Sequence, residues 1–478
     1  MEVVKDIPVK KRKIRVGFKG LVNSLDESVA DMAYASQCYN FAFDKGVLSG
    51  KIGIDAAMGY YQYPSTQRHA YPPFASGKGI RKVFLYRVTT DGQHDDRVVA
   101  HLTDGTIWYT SVFSEDTWHQ IPVLIMEGDI DAVNYNYNGK DMLILSSKVD
   151  QVFMIDDKIA YVLGSAPKFS SITIHNERVF GSVNGNKNQV WFSDDFKPAN
   201  WTVSPDGAGF INFSDECGEV LKVVSFSNYL YVFREYGIFR LTAYGNQNDF
   251  LLKKIFTDTG RIYKHSIAVC GDKIMYCAEN GVFAFDGYNS VRVGKEIPDI
   301  KNKNSLCASF IDDCYYIACN LSEDGGTDND AIVVYNVKNG SVCVLKGMNC
   351  IWLSPVKAHN GSDMLCVFGD ENKHRIGMMS QSGKLFENAL KKVYVSPTDT
   401  AEYPYQITVR DIALLCKYPA TLRVILDGKK YERKVKASEK LQNVIVEKSG
   451  TVLKFEIECT GENAYIAPLC VNVDLTKR

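Results

Sequence analysis

The densest run of potential ligand side chains is Ser322–Asp330, which reads Ser-Glu-Asp-Gly-Gly-Thr-Asp-Asn-Asp. Asp324, Asp328 and Asp330, with two glycines among them, are the kind of set that wraps calcium, a hard cation that takes oxygens from a turning loop. The spacing does not fit an EF-hand loop. The run also falls between two strand readings, Tyr315–Cys319 and Ile332–Tyr335. A long solvated hairpin loop explains it equally well, because loop tips tolerate polar insertions. The three aspartates stand as metal candidates, with the metal itself left open.

Two turns ending in tryptophan are the next candidates. Ser111–Trp118 reads Ser-Val-Phe-Ser-Glu-Asp-Thr-Trp, and Ser193–Trp201 reads Ser-Asp-Asp-Phe-Lys-Pro-Ala-Asn-Trp. Both resemble the Ser-x-Asp-x-Gly-x-x-Trp turn of sialidase-type propellers, without its glycine, and the second is one residue too long. Sugar hydrolysis needs a pair of carboxylates flanking the scissile bond, and a sialidase also needs an arginine cluster for its substrate carboxylate. Arg178, Arg234, Arg240, Arg261 and Arg292 are present, but nothing in the sequence gathers them. The eight histidines include no His-Glu-x-x-His pair, and the chain has no Gly-x-x-x-x-Gly-Lys-Ser/Thr loop and no Cys-x-x-Cys pair. No catalytic or cofactor-binding residue is assigned, no cofactor is expected, and the chain reads as a non-enzyme.

The remaining candidate is the basic cluster Lys10-Lys11-Arg12-Lys13. As an arm it would touch nucleic acid or a partner protein. As a short charge run it better suits a solvated tail, because such runs usually have no partner.

These residues must be positioned by a repeat. Hairpins recur as Val98–Leu102 with Ile107–Tyr109, Leu143–Ser146 with Val152–Ile155, and Arg178–Val183 with Val190–Ser193. They continue as Leu230–Phe233 with Ile238–Leu241, Ile274–Cys277 with Val282–Phe285, Tyr315–Cys319 with Ile332–Tyr335, and Leu365–Phe368 with Ile376–Met379. The period is roughly 40–50 residues, that of propeller blades. Asn280-Gly281 is the turn that suits paired strands. The second strands, such as Tyr229-Leu230-Tyr231-Val232-Phe233, are continuously apolar, as expected where blades stack and both strand faces are buried. The sequence therefore predicts an all-β chain: a β-propeller of about seven four-stranded blades over 81–392, followed by a β-sandwich-like domain over 396–478. Residues 1–80 read as an irregular N-terminal arm, with a short helix over Ala30–Phe43 and a ring-closing strand somewhere in 41–55.

Composition narrows the setting. The net charge is -1, so global charge steers the chain towards neither nucleic acid nor acidic membranes. The 13 cysteines are scattered through strand readings, where cysteine acts as a small hydrophobe. No apolar run reaches membrane-spanning length, and the N-terminus lacks a signal core, which predicts folding in a reducing cytosol.

The motifs then resemble a family. Gly17-Phe18-Lys19-Gly20-Leu21-Val22-Asn23-Ser24, Cys38-Tyr39-Asn40-Phe41, Gly46-Val47-Leu48 and Lys51-Ile52-Gly53 are similar to the opening of tailed-bacteriophage β-propeller structural proteins. Lys51 stands where that group usually has arginine, and Ile52 replaces a proline. Asn176-Glu177-Arg178-Val179-Phe180, Pro198-Ala199-Asn200-Trp201, Glu279-Asn280-Gly281-Val282-Phe283 and Thr451-Val452-Leu453-Lys454-Phe455 continue the likeness. The resemblance implies a structural virion protein of the tail or neck, assembled in the host cytoplasm. It implies other tail or neck proteins and copies of the chain in a symmetric homo-oligomer as partners. It transfers no catalytic residue. The alternative is a propeller module that binds a host-surface glycan or a peptide. A sialidase-like glycosidase stands behind both, and DNA contact through Lys10–Lys13 is a variant of the virion role.

Overall fold

The structure is a computed structural model and describes residues 9–22, 30–57, 61–62, 68–69, 78–90, 92–112, 118–183, 188–255, 259–358, 361–402 and 404–477. Residues 113–117 of the first Trp-ending turn and His359 lie outside these. Among the described residues the chain is almost entirely β-strand, with two short 3-10 turns and no α-helix.

Six four-stranded antiparallel sheets follow one another, and a seventh sheet, with a four-stranded antiparallel blade extended by the short strands Lys384–Leu385 and Asn388–Ala389, completes the series. Blade 1 is Ile80–Tyr86, Arg97–Leu102, Thr106–Ser111 and His119–Ile125. Blade 2 is Asp131–Tyr137, Lys140–Ser146, Phe153–Asp156 and Ile159–Val162, and blade 3 is Phe169–His175, Arg178–Val183, Gln189–Phe192 and Gly209–Asn212. Blade 4 is Val220–Phe226, Tyr229–Arg234, Gly237–Thr242 and Leu251–Ile255. Blade 5 is Ala268–Cys270, Lys273–Ala278, Gly281–Phe285 and Ser290–Val293. Blade 6 is Asn302–Ile311, Cys314–Asn320, Ala331–Asn336 and Val342–Lys346. Blade 7 takes Cys350–Ala358, Gly361–Phe368 and Ile376–Ser380 from the late chain and its fourth strand, Gly53–Ala57, from the N-terminal segment. That pairing, Ile376↔Ala57 to Ser380↔Gly53, closes the ring. The chain is a seven-bladed β-propeller with an appended sandwich.

Alternation along the second strands fills the wedges between blades. Leu143 and Leu145 enter the core shared by blades 1 and 2, while Met142 and Ile144 enter that of blades 2 and 3. Leu230 and Val232 face blade 3, while Tyr231 and Phe233 face blade 5. The wedge between blades 7 and 1 joins Val356, Leu365 and Val367 to Val83, Val98 and Ala100. No blade buries both faces alone, so each depends on its two neighbours.

The sandwich packs two sheets. One runs Lys10–Val16, Leu469–Lys477, Tyr405–Leu414 and Gln442–Gly450. The other runs Gln37–Tyr39, Lys392–Val395, Val452–Cys459, Ala420–Leu426 and Lys429–Val435. Ile14, Val16, Val409, Val471, Leu422, Val424 and Phe455 lie in its interior. That core is continuous with the wedge between blades 5 and 6, through residues such as Cys277, Tyr315 and Val333.

The described residues among 1–80 therefore depart from the expected irregular arm. Lys10–Val16 is an edge strand, because Ile14 and Val16 alternate with Arg15 and bury against the sandwich. No helix forms over Ala30–Phe43. Instead Gln37–Tyr39 pairs with Val393–Val395, with Cys38 buried between two flanking exposed or half-buried residues. Tertiary pairing outweighs weak local helix propensity here.

Candidate functional site

The first strand of each blade lines the propeller axis, where the structure holds a cavity of about 460 Å3. Its wall includes Phe84, Phe310 and Trp352, with Ser225, Ser309 and Ser354 among them. Lys82, Lys222, Lys264 and His265 also line it, together with Asp131. Cavities of this size, apolar with a few convergent polar groups, are typical of small-molecule sites.

A polar network crosses the axis. Asp129, on the connector into blade 2, pairs with Lys82 of blade 1 at 2.5 Å. It also meets His265 at 3.4 Å and Lys264 at 3.7 Å, both from the short turn before blade 5. Lys82 Nζ donates to the Ile130 carbonyl at 2.9 Å and sits 4.1 Å from the Trp352 ring centroid. Lys264 Nζ donates to the Ser170 carbonyl in the first strand of blade 3 at 2.6 Å. Lys222 of blade 4 donates to the Ile267 carbonyl at 2.8 Å. Trp352 Nε1 donates to the Val83 carbonyl at 2.9 Å, joining blade 7 to blade 1.

These contacts set the charge states. Burial pushes the Asp129 carboxyl up, but the His265 hydrogen bond and the charges of Lys82 and Lys264 outweigh it and hold the group well below the usual carboxylate range. A general acid needs the reverse, so Asp129 is built as a fixed anion. Burial pushes His265 below its ordinary value, against its bond to Asp129.

The residues singled out from sequence fall elsewhere. Asp330 accepts from the Leu321 N–H at 2.7 Å and from the Ser322 hydroxyl, and pairs with Lys346 at 3.3 Å. Asp324 accepts from the Gly326 N–H at 3.1 Å, and Asp328 offers its backbone carbonyl to Asn320. The three aspartates thus make separate contacts within one hairpin loop. Among the described residues no group of three His, Cys, Asp or Glu side chains is placed to hold a metal ion.

Lys10, Lys11, Arg12 and Lys13 are all exposed on the sandwich edge. Arg12 reaches across to Asp399 at 3.0 Å. Lys11 and Lys13 stand opposite Asp474 and Asn472 in the register and share a shallow groove with Arg410 and Glu447. Charged side chains of this kind are how proteins blunt an open sheet edge.

The five arginines do not converge, and none lines the axial cavity. Arg178 donates to the carbonyls of Ser193 and Gly207, both at 3.0 Å. Arg234 is fully buried among Asp215, Gly218 and Asn188. Arg240 lies between the rings of Tyr229 and Tyr288. Arg261 pairs with Glu235, and Arg292 borders a groove on blade 5. The second Trp-ending turn is a packing device: Trp201 Nε1 donates to the Pro198 carbonyl at 2.8 Å, and its ring lies 4.8 Å from that of Phe169.

Sequence reasoning missed the axial set. One signal was present. Lys82 and Lys222 each occupy the third position of an otherwise largely apolar first strand.

No family model and no curated protein matches the chain. Among solved structures it is similar to BBS1N in complex with ARL6DN, at 10% identity over 69% of this chain and 95% of that one, with a TM-score of 0.45. It is similar to BamB from Moraxella catarrhalis, at 11% identity over 80% and 98% of the two chains, with a TM-score of 0.37. Raptor from Chaetomium thermophilum gives 12% identity over 66% and 29%, with a TM-score of 0.43. These likenesses are distant, and the blade count rests on the strand pairing of the chain itself.

Proposed function

We propose that the chain is a structural, non-enzymatic protein of a phage tail or neck, acting as a rigid platform on which neighbouring subunits or fibres assemble. The observation that carries this reading is the path of the N-terminal segment. Lys10–Val16 and Gln37–Tyr39 complete the two sandwich sheets, and Gly53–Ala57 then completes blade 7. Propeller and sandwich are thereby tied into one body, as a part that bears assembly contacts requires. The N-terminal and blade motifs that resemble phage propeller proteins support the tail or neck location. Exposed apolar side chains on the outer strands of blades 1 and 2 (Val123, Ile125, Ile159, Tyr161 and Val162) support contact with a neighbouring subunit.

The test is cryo-electron microscopy of purified particles from a phage encoding this chain. The expected map contains a symmetric ring of seven-bladed discs at the tail or neck. A complete particle map with no density for the chain overturns the assignment. A second reading, a module that binds a host-surface glycan, draws on Trp352 and Phe310 in the axial wall. Binding of the full chain on a glycan array, lost on Trp352→Ala, would favour it.

A further inference from the structure

The axial cavity carries more positive charge than its own carboxylates balance. Lys82, Lys222 and Lys264 face it with Asp129 and Asp131 as the acidic members of the network. Asp129 sits closest to Lys82, at 2.5 Å, and reaches Lys264 at 3.7 Å. Asp131 turns its oxygens to backbone, accepting from the Ala132 N–H at 3.1 Å and the Ile172 N–H at 3.0 Å. Arg87 lines the same cavity and adds to the excess.

The lysines also have unused donors. An ammonium has three N–H groups. Lys222 uses one, on the Ile267 carbonyl. Lys264 uses one on the Ser170 carbonyl and has the long contact to Asp129. Burial lowers the Lys222 ammonium below its ordinary range; Asp131 opposes this and Lys82 adds to it. Burial lowers Lys264 too; Asp131 and Asp129 oppose this, and Lys82 and Lys222 add to it. Lys222 and Lys264 share one space with the Lys82 ammonium, and a ligand supplying negative charge would relieve the cost of holding them together.

The donors define the ligand. They come from blades 1, 4 and the turn before blade 5, so they approach from different sides. Lysine acts as a point charge without the planar fork by which arginine matches a carboxylate. Point charges converging from several sides suit a tetrahedral oxyanion, and the hydroxyls of Ser225, Ser309 and Ser354 lie on the same wall. We propose that the axial cavity of the propeller is a binding site for a small phosphate-class anion, held by Lys222 and Lys264 with Lys82 beside them. This site is independent of the assembly role proposed above.

The test is isothermal titration of the full chain with sodium phosphate at pH 7, with sodium chloride balancing ionic strength. One saturable site per chain is expected. The double variant Lys222→Met and Lys264→Met should lose at least about tenfold in affinity, the scale of one or two charge-assisted hydrogen bonds. The surface variant Lys11→Met and Lys13→Met should bind as the parent does. Absence of a saturable site in the parent overturns the proposal. So does a loss confined to the surface variant, or malonate binding as tightly as phosphate. Should the double variant fail to fold, crystals of the parent chain soaked in tungstate decide: an anomalous peak among Lys82, Lys222 and Lys264 supports the site, and peaks elsewhere or none overturn it.

Discussion

At the scale of the residue, buried polar side chains give the clearest consequences. Asn40 is 3% exposed with φ of 61°, a left-handed conformation that asparagine tolerates well. Its Nδ2 donates to the carbonyls of Lys346 at 3.1 Å and Lys391 at 2.7 Å, and its Oδ1 accepts from the Lys346 N–H at 2.8 Å. One side chain thus ties the N-terminal segment to blade 6 and to the chain leaving blade 7. Asn40→Ala should cost about 3 kcal/mol in urea unfolding, since it leaves buried groups unpaired. Hydrogen exchange at the Lys346 amide should speed up, and an unchanged rate there would refute the clamp. His101 and His175 give a second prediction. Burial lowers both imidazoles to about 4; for His101 the Met126 carbonyl opposes this, and Arg81 and Lys82 add to it. Between about pH 6.5 and 4 the unfolded chain takes up these protons and the folded chain does not. Stability is therefore full above that window and falls as pH drops through it, by up to about 3 kcal/mol per histidine. Urea midpoints measured from pH 7 to pH 4 should show the fall, and it should flatten in the double variant His101→Gln and His175→Asn. Asn40 was visible in the sequence as part of a motif, Cys38-Tyr39-Asn40-Phe41. Its bonding partners were not, because they lie more than 300 residues away.

At the scale of the element, the decisive piece is the strand Gly53–Ala57. It gives blade 7 its fourth strand and buries Ile54 beside Phe368 and Phe386. A Cβ on Gly53 would stand 2.5 Å from the Lys384 carbonyl oxygen and 2.7 Å from its nitrogen. Both are backbone atoms that cannot rotate away. Gly53→Ala should force the strand off its neighbours and cost about 1–3 kcal/mol, the scale of overpacking. A thermal midpoint unchanged from the parent would show that the closing strand has slack. The hairpins themselves were legible: the pair Ile274–Cys277 and Val282–Phe285 of the fifth blade is found as Lys273–Ala278 and Gly281–Phe285. The strand Lys10–Val16 was missed because its first four residues are charged. On a sheet edge such residues are favoured rather than excluded, so the apolar signal shrinks to Ile14 and Val16.

At the scale of the whole molecule, the sandwich core runs without a break into the wedge between blades 5 and 6. A shared core couples the two parts, so calorimetry should record one cooperative transition rather than two, and chains cut after Val395 should not fold. Two resolved transitions would show that the parts are independent. The sequence by itself determined the all-β class, a blade count near seven and the strand order within each blade. Those follow from local alternation and turn residues, which act over a few positions. The tertiary structure alone decided which strand closes the ring, which segments complete the sandwich, and which side chains meet at the axis. Lys82, Asp129, Lys222 and the turn that holds Lys264 and His265 come from separate blades or connectors, and their juxtaposition is a product of ring closure. No local pattern encodes a contact made across the centre of a closed ring.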